Sequence, residues 1–345
     1  MAWGGIRLAL LCAVALSFSG AHAENRLKKI WTRVDSVLTG RYYRTPYDTN
    51  YVVRPEGKLT LQLKGNQSGY SIRSKGTVND LRIKSHLSTN YKTTISIGAA
   101  YRGFSAAYSI NPAKLRGFYD DYELSLNFYA SRFCVNATYQ RSSSLSGEIH
   151  HGEDIYQMES GDTKLKLFNI TAYYIFNHRR YSVSAPFSQS YIQRRSAGSW
   201  LAGLSYQGGG VQALEGGIRK MEELSSSGKM RGANFRLGIG HLGIGGGYGY
   251  NLVLRKKWLL HLSFLPIFVV YNRNDITVDD ERVKVGHMRF DMLFNERAAI
   301  VYNFSPRYFA GINALANNSL FGGNHVTIHQ SKWAAHAFIG VRLWE

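Results

Sequence analysis

Trp333-Ala334-Ala335-His336-Ala337-Phe338-Ile339-Gly340-Val341-Arg342-Leu343 is the stretch on which the fold turns. From Trp333 every second residue is apolar: Trp333, Ala335, Ala337, Ile339, Val341 and Leu343. The residues between are Ala334, His336, Phe338, Gly340 and Arg342, followed by Trp344. Strand side chains alternate between two faces, so one face of this run is wholly apolar and the other admits a His and an Arg. A soluble antiparallel sheet alternates in the same way. What makes the run informative is its place at the C-terminal end of a chain whose other end reads as an export signal. There it reads as the closing strand of a membrane barrel.

Residues 1–23 have the plan of a cleavable secretory signal peptide. Arg7 supplies the positive start, Leu8 to Phe18 the apolar stretch, and Ala21-His22-Ala23 the small-x-small cleavage pattern. The exported chain is then expected to begin at Glu24. No later stretch reaches the roughly 18 apolar residues of a helical span. The richest, Trp258 to Tyr271, is broken by His261, Ser263 and Pro266. Only helices and closed barrels satisfy every backbone polar group in lipid, so a membrane form of this chain is a barrel. Tyr (23), Phe (17) and Trp (6) supply rings suited to membrane interfaces, and the mean hydropathy of −0.24 is what alternating strands average to. With Cys12 removed in the signal, Cys134 is the only cysteine and no intrachain disulfide can form. The net charge of +19 points to an anionic partner, the phosphorylated outer leaflet or anionic solutes. No nucleic-acid motif accompanies it.

Asn25 to Thr39 predicts a short amphipathic helix, with Leu27, Ile30, Trp31, Val34 and Leu38 on one stripe and Arg26, Lys28, Lys29 and Arg33 around it. It reads as a cap at the periplasmic mouth, or as a basic helix on the inner leaflet. From Lys58 the chain alternates strand after strand: 59–64, 81–86, 95–101, 104–110, 122–129, 133–140, 164–176, 198–207, 244–255, 257–271, 286–304, 307–316 and 332–343. Tight connections at 101–103, 130–131, 255–257 and 305–306 contrast with long polar ones at 111–121, 142–163, 272–285 and 317–331. Short turns at one end and long loops at the other are the layout of a bacterial outer-membrane barrel. The expected fold is an all-β antiparallel transmembrane β-barrel of about 12 strands (about 10 to 14), with segment 177–243 holding either two further strands or one large loop. The domain plan is a signal over 1–23, a helix and periplasmic lead-in over 24–57, and the barrel over 58–345. A soluble sandwich is the other architecture.

Three further patterns carry a resemblance. They are Tyr47-Asp48-Thr49-Asn50-Tyr51-Val52; Phe187-Ser188-Gln189 followed by Gln193-Arg194-Arg195-Ser196-Ala197-Gly198-Ser199; and Gly247-Tyr248-Gly249-Tyr250-Asn251. With them the chain resembles an uncharacterised family of Gram-negative outer-membrane barrel proteins known only as a domain of unknown function. The resemblance implies a barrel in the outer membrane and brings no catalytic residue. Many outer-membrane barrels end on an aromatic residue, whereas here Glu345 follows Trp344.

Inward parity assigns a polar lumen network to Arg82, Lys84, His86, Glu123, Arg132, Arg289, Asp291, Arg297, His336 and Arg342. Mirror pairing about Ala130-Ser131 sets Glu123 opposite Thr138, Asn127 opposite Cys134 and Tyr129 opposite Arg132. His150, His151, Glu153 and Asp154 form the densest ligand cluster, a candidate divalent-metal loop, but their spacing matches no zinc pattern and a solvated loop explains them. Asp120-Asp121 lacks a visible acid–base partner, no Gly-x-Ser-x-Gly elbow occurs, and the glycines at 208–210 and 243–249 lack a phosphate-loop context. The reading is a non-enzymatic structural or binding envelope protein, without cofactor, that contacts anionic lipid headgroups and is assembled by the barrel-insertion machinery. The alternatives are a basic-lined pore for small anions and an outer-membrane hydrolase with a loop His/carboxylate site.

Overall fold

The computed structural model describes residues 47–343 apart from 56, 58, 79–80, 102–103, 111–121, 152–153, 225–233, 279–280, 284–290 and 323–325. The signal peptide, the helix expected over Asn25–Thr39, Arg289 and Glu153 lie outside the described residues. In chain order the elements are β1 (Val52–Val53), β2 (Leu59–Val78), β3 (Leu81–Thr89), β4 (Lys92–Tyr101), β5 (Phe104–Ile110), β6 (Tyr122–Tyr129) and β7 (Phe133–Ser142). Then come β8 (Leu145–His151), β9 (Asp154–Met158), β10 (Thr163–Ile175), the short helix α1 (Ser184–Phe187), β11 (Ile192–Gln193), β12 (Ala197–Ala213) and helix α2 (Glu215–Leu224). The last are β13 (Phe235–Leu254), β14 (Trp258–Val278), β15 (Glu281–Val283), β16 (Met292–Asn303), β17 (Tyr308–Gly322) and β18 (Val326–Leu343).

Twelve of these strands, β2, β4, β5, β6, β7, β10, β12, β13, β14, β16, β17 and β18, form one antiparallel ring. It closes where β18 pairs with β2, from Leu59 opposite Leu343 to Gly76 opposite Val326. Closure removes the strand edges that lipid could not solvate. The run at 81–86, now β3, is not a ring strand. β2 is 20 residues long, more than the roughly 10 that cross a bilayer at a tilt. Its first half pairs with β4 and its second half with β3. β3 in turn pairs with β8, passing above the short β5–β6 hairpin. The stretches expected as long loops at 142–163, 272–285 and 317–331 are therefore largely strand, an extracellular continuation of the wall. Segment 177–243 holds a folded-in loop, all of β12, helix α2 and the start of β13.

The outer face is apolar and bounded by aromatic residues. Leu63, Ile97, Leu204, Ile244, Leu262, Ile312 and Ile339 are exposed there, as lipid-facing residues are. At the short-turn end, Phe133 packs on Tyr174, Trp200 on Tyr248 and Trp258 on Tyr302. At the other end Tyr91 meets Trp333 at 5.7 Å, and Phe168 meets Tyr206. Two such girdles mark the two interfaces of a bilayer.

The lumen is filled in two apolar layers. The extracellular layer gathers Tyr70, Ile72, Leu87, Tyr156, Met158, Leu165, Phe321 and Ile328 from strand tops and from β9. The periplasmic layer is built on the connection between β10 and β12. Its residues Tyr181, Val183 and Phe187 turn into the barrel against Tyr129, Cys134, Tyr173, Leu201 and Leu265. Gly249 has no room for a side chain, because a Cβ there would strike the Tyr181 hydroxyl. β1 pairs with β11 beside this plug, and the Tyr47 hydroxyl donates to Ser182 Oγ at 3.3 Å. Burial raises the Tyr47 phenol above its usual range, and neighbouring Tyr191 adds to the shift.

Candidate functional site

The β6–β7 hairpin places the first lumen residue. A backbone bond from Ala130 N–H to the Phe133 carbonyl widens its turn. The register is therefore two residues away from mirror pairing about Ala130-Ser131: Glu123 faces Gln140, Asn127 faces Asn136 and Tyr129 faces Cys134. Parity survives a shift of two, so Glu123 stays inward. Arg132 falls in the exposed turn, not in the lumen.

Between the two apolar layers lies a polar chamber of about 650 Å³, whose lining includes Lys64, Lys92, Glu123, Arg297, Lys332 and His336. Glu123 on β6 and Lys332 on β18, four strands apart round the ring, meet at 3.0 Å. His336 Nδ1 pairs with Asn66 Oδ1 at 2.7 Å. At the chamber floor Arg297 reaches across to the Tyr173 hydroxyl at 2.8 Å and to Asn136 Oδ1 at 3.4 Å. No carboxylate pairs with Arg297 among the described residues. Asp291 lies higher on the same face, where Asn272 Nδ2 donates to it at 2.6 Å and Gly322 N–H at 3.3 Å. Arg342, inward at the periplasmic end, donates Nε to the Gln189 carbonyl at 2.9 Å and so holds the plug.

Arg82, Lys84 and His86 are not lumen residues. On β3 they are exposed on the outer face, and Ser85 and Leu87 face inward. The reason is height. Within the bilayer the outside of the wall is lipid and takes the apolar face, whereas β3 stands above it, with water outside and an apolar layer within. Parity correctly grouped these residues but could not say which group faced in. The adjacent registers complete a basic wall: Arg73 lies opposite His86 and His329, and Lys75 opposite Lys84. Lys84 is opposite His150, and His86 opposite Glu148. Like charges on directly opposed positions repel, so Lys75 and Lys84 are destabilising neighbours without an anion between them. Arg73 and Lys75 were legible only once β2 was run past Gly65, where Ile72 and Ser74 continue its alternation.

Of the His/carboxylate cluster, His150 stands on this wall, opposite Lys84. His150 Nε2 lies 3.4 Å from Glu148 Oε2, and Gln157 Nε2 donates to Glu148 Oε1 at 2.8 Å. These bonds, Gln157's first, hold the Glu148 carboxyl below the usual carboxylate range. His151 and Asp154 are opposed in the β8–β9 hairpin register. Among the described residues no three His, Cys, Asp or Glu converge as a metal site. A Ser–His–Asn array does occur at the plug: His261 contacts Asn251 Oδ1 at 2.8 Å and Ser263 Oγ at 3.1 Å. All three are buried, and none lines the chamber. The Asn251 amide is spent on Ser182 O and Gln193 Oε1, so the array fastens the plug to the wall.

Residues 46–343 match the model of a protein family described as domain of unknown function (DUF4421). The chain belongs to that family. A search of curated proteins finds no match. Among solved structures, the chain is similar to the outer membrane protease OmpT from Escherichia coli at 9% identity and a TM-score of 0.41, covering 84% of this chain and 97% of that one. It is similar to the translocator domain of autotransporter NalP from Neisseria meningitidis at 11% identity and a TM-score of 0.36, covering 95% and 99%. A third, the outer membrane protein OprG from Pseudomonas aeruginosa, matches at 11% identity and a TM-score of 0.30, covering 84% and 98%.

Proposed function

We propose that this DUF4421 protein is a non-enzymatic outer-membrane barrel, exported through a cleavable signal and assembled by the barrel-insertion machinery, whose extracellular wall holds phosphorylated lipid headgroups. One observation carries the reading: Arg73, Lys75, Arg82, Lys84 and His86 are exposed on adjoining outer strands, with Glu148 the one acid opposed to them in register among the described residues. The patch stands at headgroup height. Arg73 is four residues beyond Gly69, which pairs with the girdle residue Trp333, or about 13 Å along the strand. Anionic headgroups there relieve the repulsion between opposed cations. The two apolar layers among the described residues favour binding over conduction.

Native mass spectrometry of the purified barrel with lipid A, across a salt series, tests this. Exposed charges are screened over about 10 Å at 0.1 M salt, so retained lipid A is expected to fall steeply between low and high salt. It is also expected to fall in small steps as Lys75, Arg82 and Lys84 are changed to Gln in turn. Salt-independent retention refutes the electrostatic account. Loss of all binding on one substitution replaces the diffuse wall with a discrete pocket.

A further inference from the structure

The chamber floor is built for an anion that the basic outer wall does not supply. Arg297 is buried and opposed by no carboxylate, and its Nε and Nη2 form no bond among the described residues. Beside it Asn136, 8% exposed, also lines the chamber, and its amide nitrogen is buried without a hydrogen-bond partner. A guanidinium edge with an amide N–H alongside is a donor set for a two-oxygen anion. A buried cation without a counter-charge is costly, and an entering anion offsets that cost. The one lining carboxylate, Glu123, is already held by Lys332. The chamber's 650 Å³ is of the size that holds small ligands.

The route in is lateral. β5 and β6 pair only through Phe104–Ala106 with Leu126–Phe128. The same register would bring Ala107 opposite Ser125, but no pairing continues there, although β5 stays paired to β4 as far as Ile110 and β6 to β7 as far as Tyr122. Ala107, Tyr122 and Ser125, at this split, line the chamber. Leu124, which by parity faces the bilayer, lines it too. On the outer wall, around the paired part of the same hairpin, runs a groove of about 440 Å³ with Ala99, Tyr101, Leu126, Phe128, Val135 and Ala137 in its lining. Unpaired strand edges facing hydrocarbon are unfavourable, and a polar headgroup passing such a seam can hydrogen-bond the backbone groups left there. Along the barrel axis, apolar clusters of described residues lie on either side of the chamber.

We propose that the chamber is a headgroup pocket for an anionic acyl amphiphile, which enters from the bilayer between β5 and β6 and leaves its chain along the outer groove. The shared headgroup chemistry is a carboxylate or a phosphate monoester. This site is separate from the lipid-binding wall above it and stands whether or not that wall binds.

The test uses the full-length protein in nanodiscs and cis-parinaric acid as a fluorescent probe. Palmitate is expected to displace the probe and methyl palmitate to be about tenfold weaker or worse, because the anion's charge-assisted bonds are lost. Inorganic phosphate alone is expected not to displace it. Arg297→Met, with heat-modifiable gel mobility retained, is expected to weaken the probe about tenfold. If Arg297→Met does not fold, Asn136→Leu carries the same comparison. A disulfide between Ala107→Cys and Ser125→Cys is expected to block uptake until reduced. The proposal is overturned if the probe does not bind, or if methyl palmitate competes equally. Displacement by phosphate alone overturns it as well, by making the site one for free anions. Folded variants that bind normally, or unaltered uptake by the oxidised double-cysteine protein, also overturn it.

Discussion

Arg342→Leu is expected to loosen the periplasmic plug while leaving the ring closed. Arg342 is 1% exposed, and its guanidinium is solvated by the protein alone. Nε donates to the Gln189 carbonyl at 2.9 Å, and Nη2 lies 3.4 Å from Gln189 Oε1. Nη1 donates to the Pro306 carbonyl at 2.9 Å and Nη2 to Asn303 Oδ1 at 3.0 Å, and the group stacks 4.5 Å from the Phe309 ring. Hydrogen bonds from a charged donor contribute about 1.5–3 kcal/mol each, and burial of the cation takes back part of that. Of the two bonds to Gln189 only the first is short, so about 2 kcal/mol of the plug's docking energy passes through Arg342. That is a rise of about 30-fold in the undocked population. Chymotrypsin reads it, because Phe187 and Tyr191 are buried in the native plug and cleavage follows the open fraction when opening is fast. Gel mobility read alongside reports the ring. Cleavage unchanged at both residues, with an unchanged urea midpoint, refutes the latch. Simultaneous loss of plug protection and ring would make Arg342 a general core residue.

Two further outcomes follow from the wall and the ends. Ala337→Arg places a charge on the lipid face midway between the girdles and is expected to cost about 2–4 kcal/mol, whereas His336→Arg enters the polar chamber and costs less; equal folding yields in liposomes would contradict the assigned faces. The exported protein is expected to begin at Glu24, and N-terminal sequencing that finds residues 1–20 retained removes the signal peptide from the proposal.

The ring was legible because period two survives every uncertainty of boundary. The 13 alternating runs contain all twelve ring strands, and the one excess run, 81–86, is the strand that leaves the ring to pair with β8. What could not be read was where strands ended. Gln67, Ser71, Arg73 and Lys75 interrupt the apolar pattern of β2, so the alternating run stops at 64, although the backbone continues as strand to Val78. Above the membrane the outer face is wetted, so the apolar requirement lapses while the hydrogen-bond ladder does not. The plug was hidden for a different reason. Residues 181–191 are buried without helical or strand periodicity, because their partners are the lumen faces of strands far away in sequence.

The misplaced residues follow from one physical fact. Alternation sorts side chains into two sets, and the solvent on each side decides which set is polar. Through the bilayer the inner set is polar: Glu123, Arg297, His336 and Arg342 lie inside. One tier higher the rule inverts, and Arg82, Lys84 and His86 go outside while Leu87 and Tyr70 fill the lumen. The crossover lies near the Tyr91–Trp333 pair, where Thr89 ends β3 and Lys92 starts β4. A chain read with one inside and one outside puts Arg82, Lys84 and His86 on the wrong face, while Asp291 stays inward. For the same reason the charges form two separate groups. The outer cations stand on the wall above the aromatic girdle, and the inner ones line a chamber between the two apolar layers.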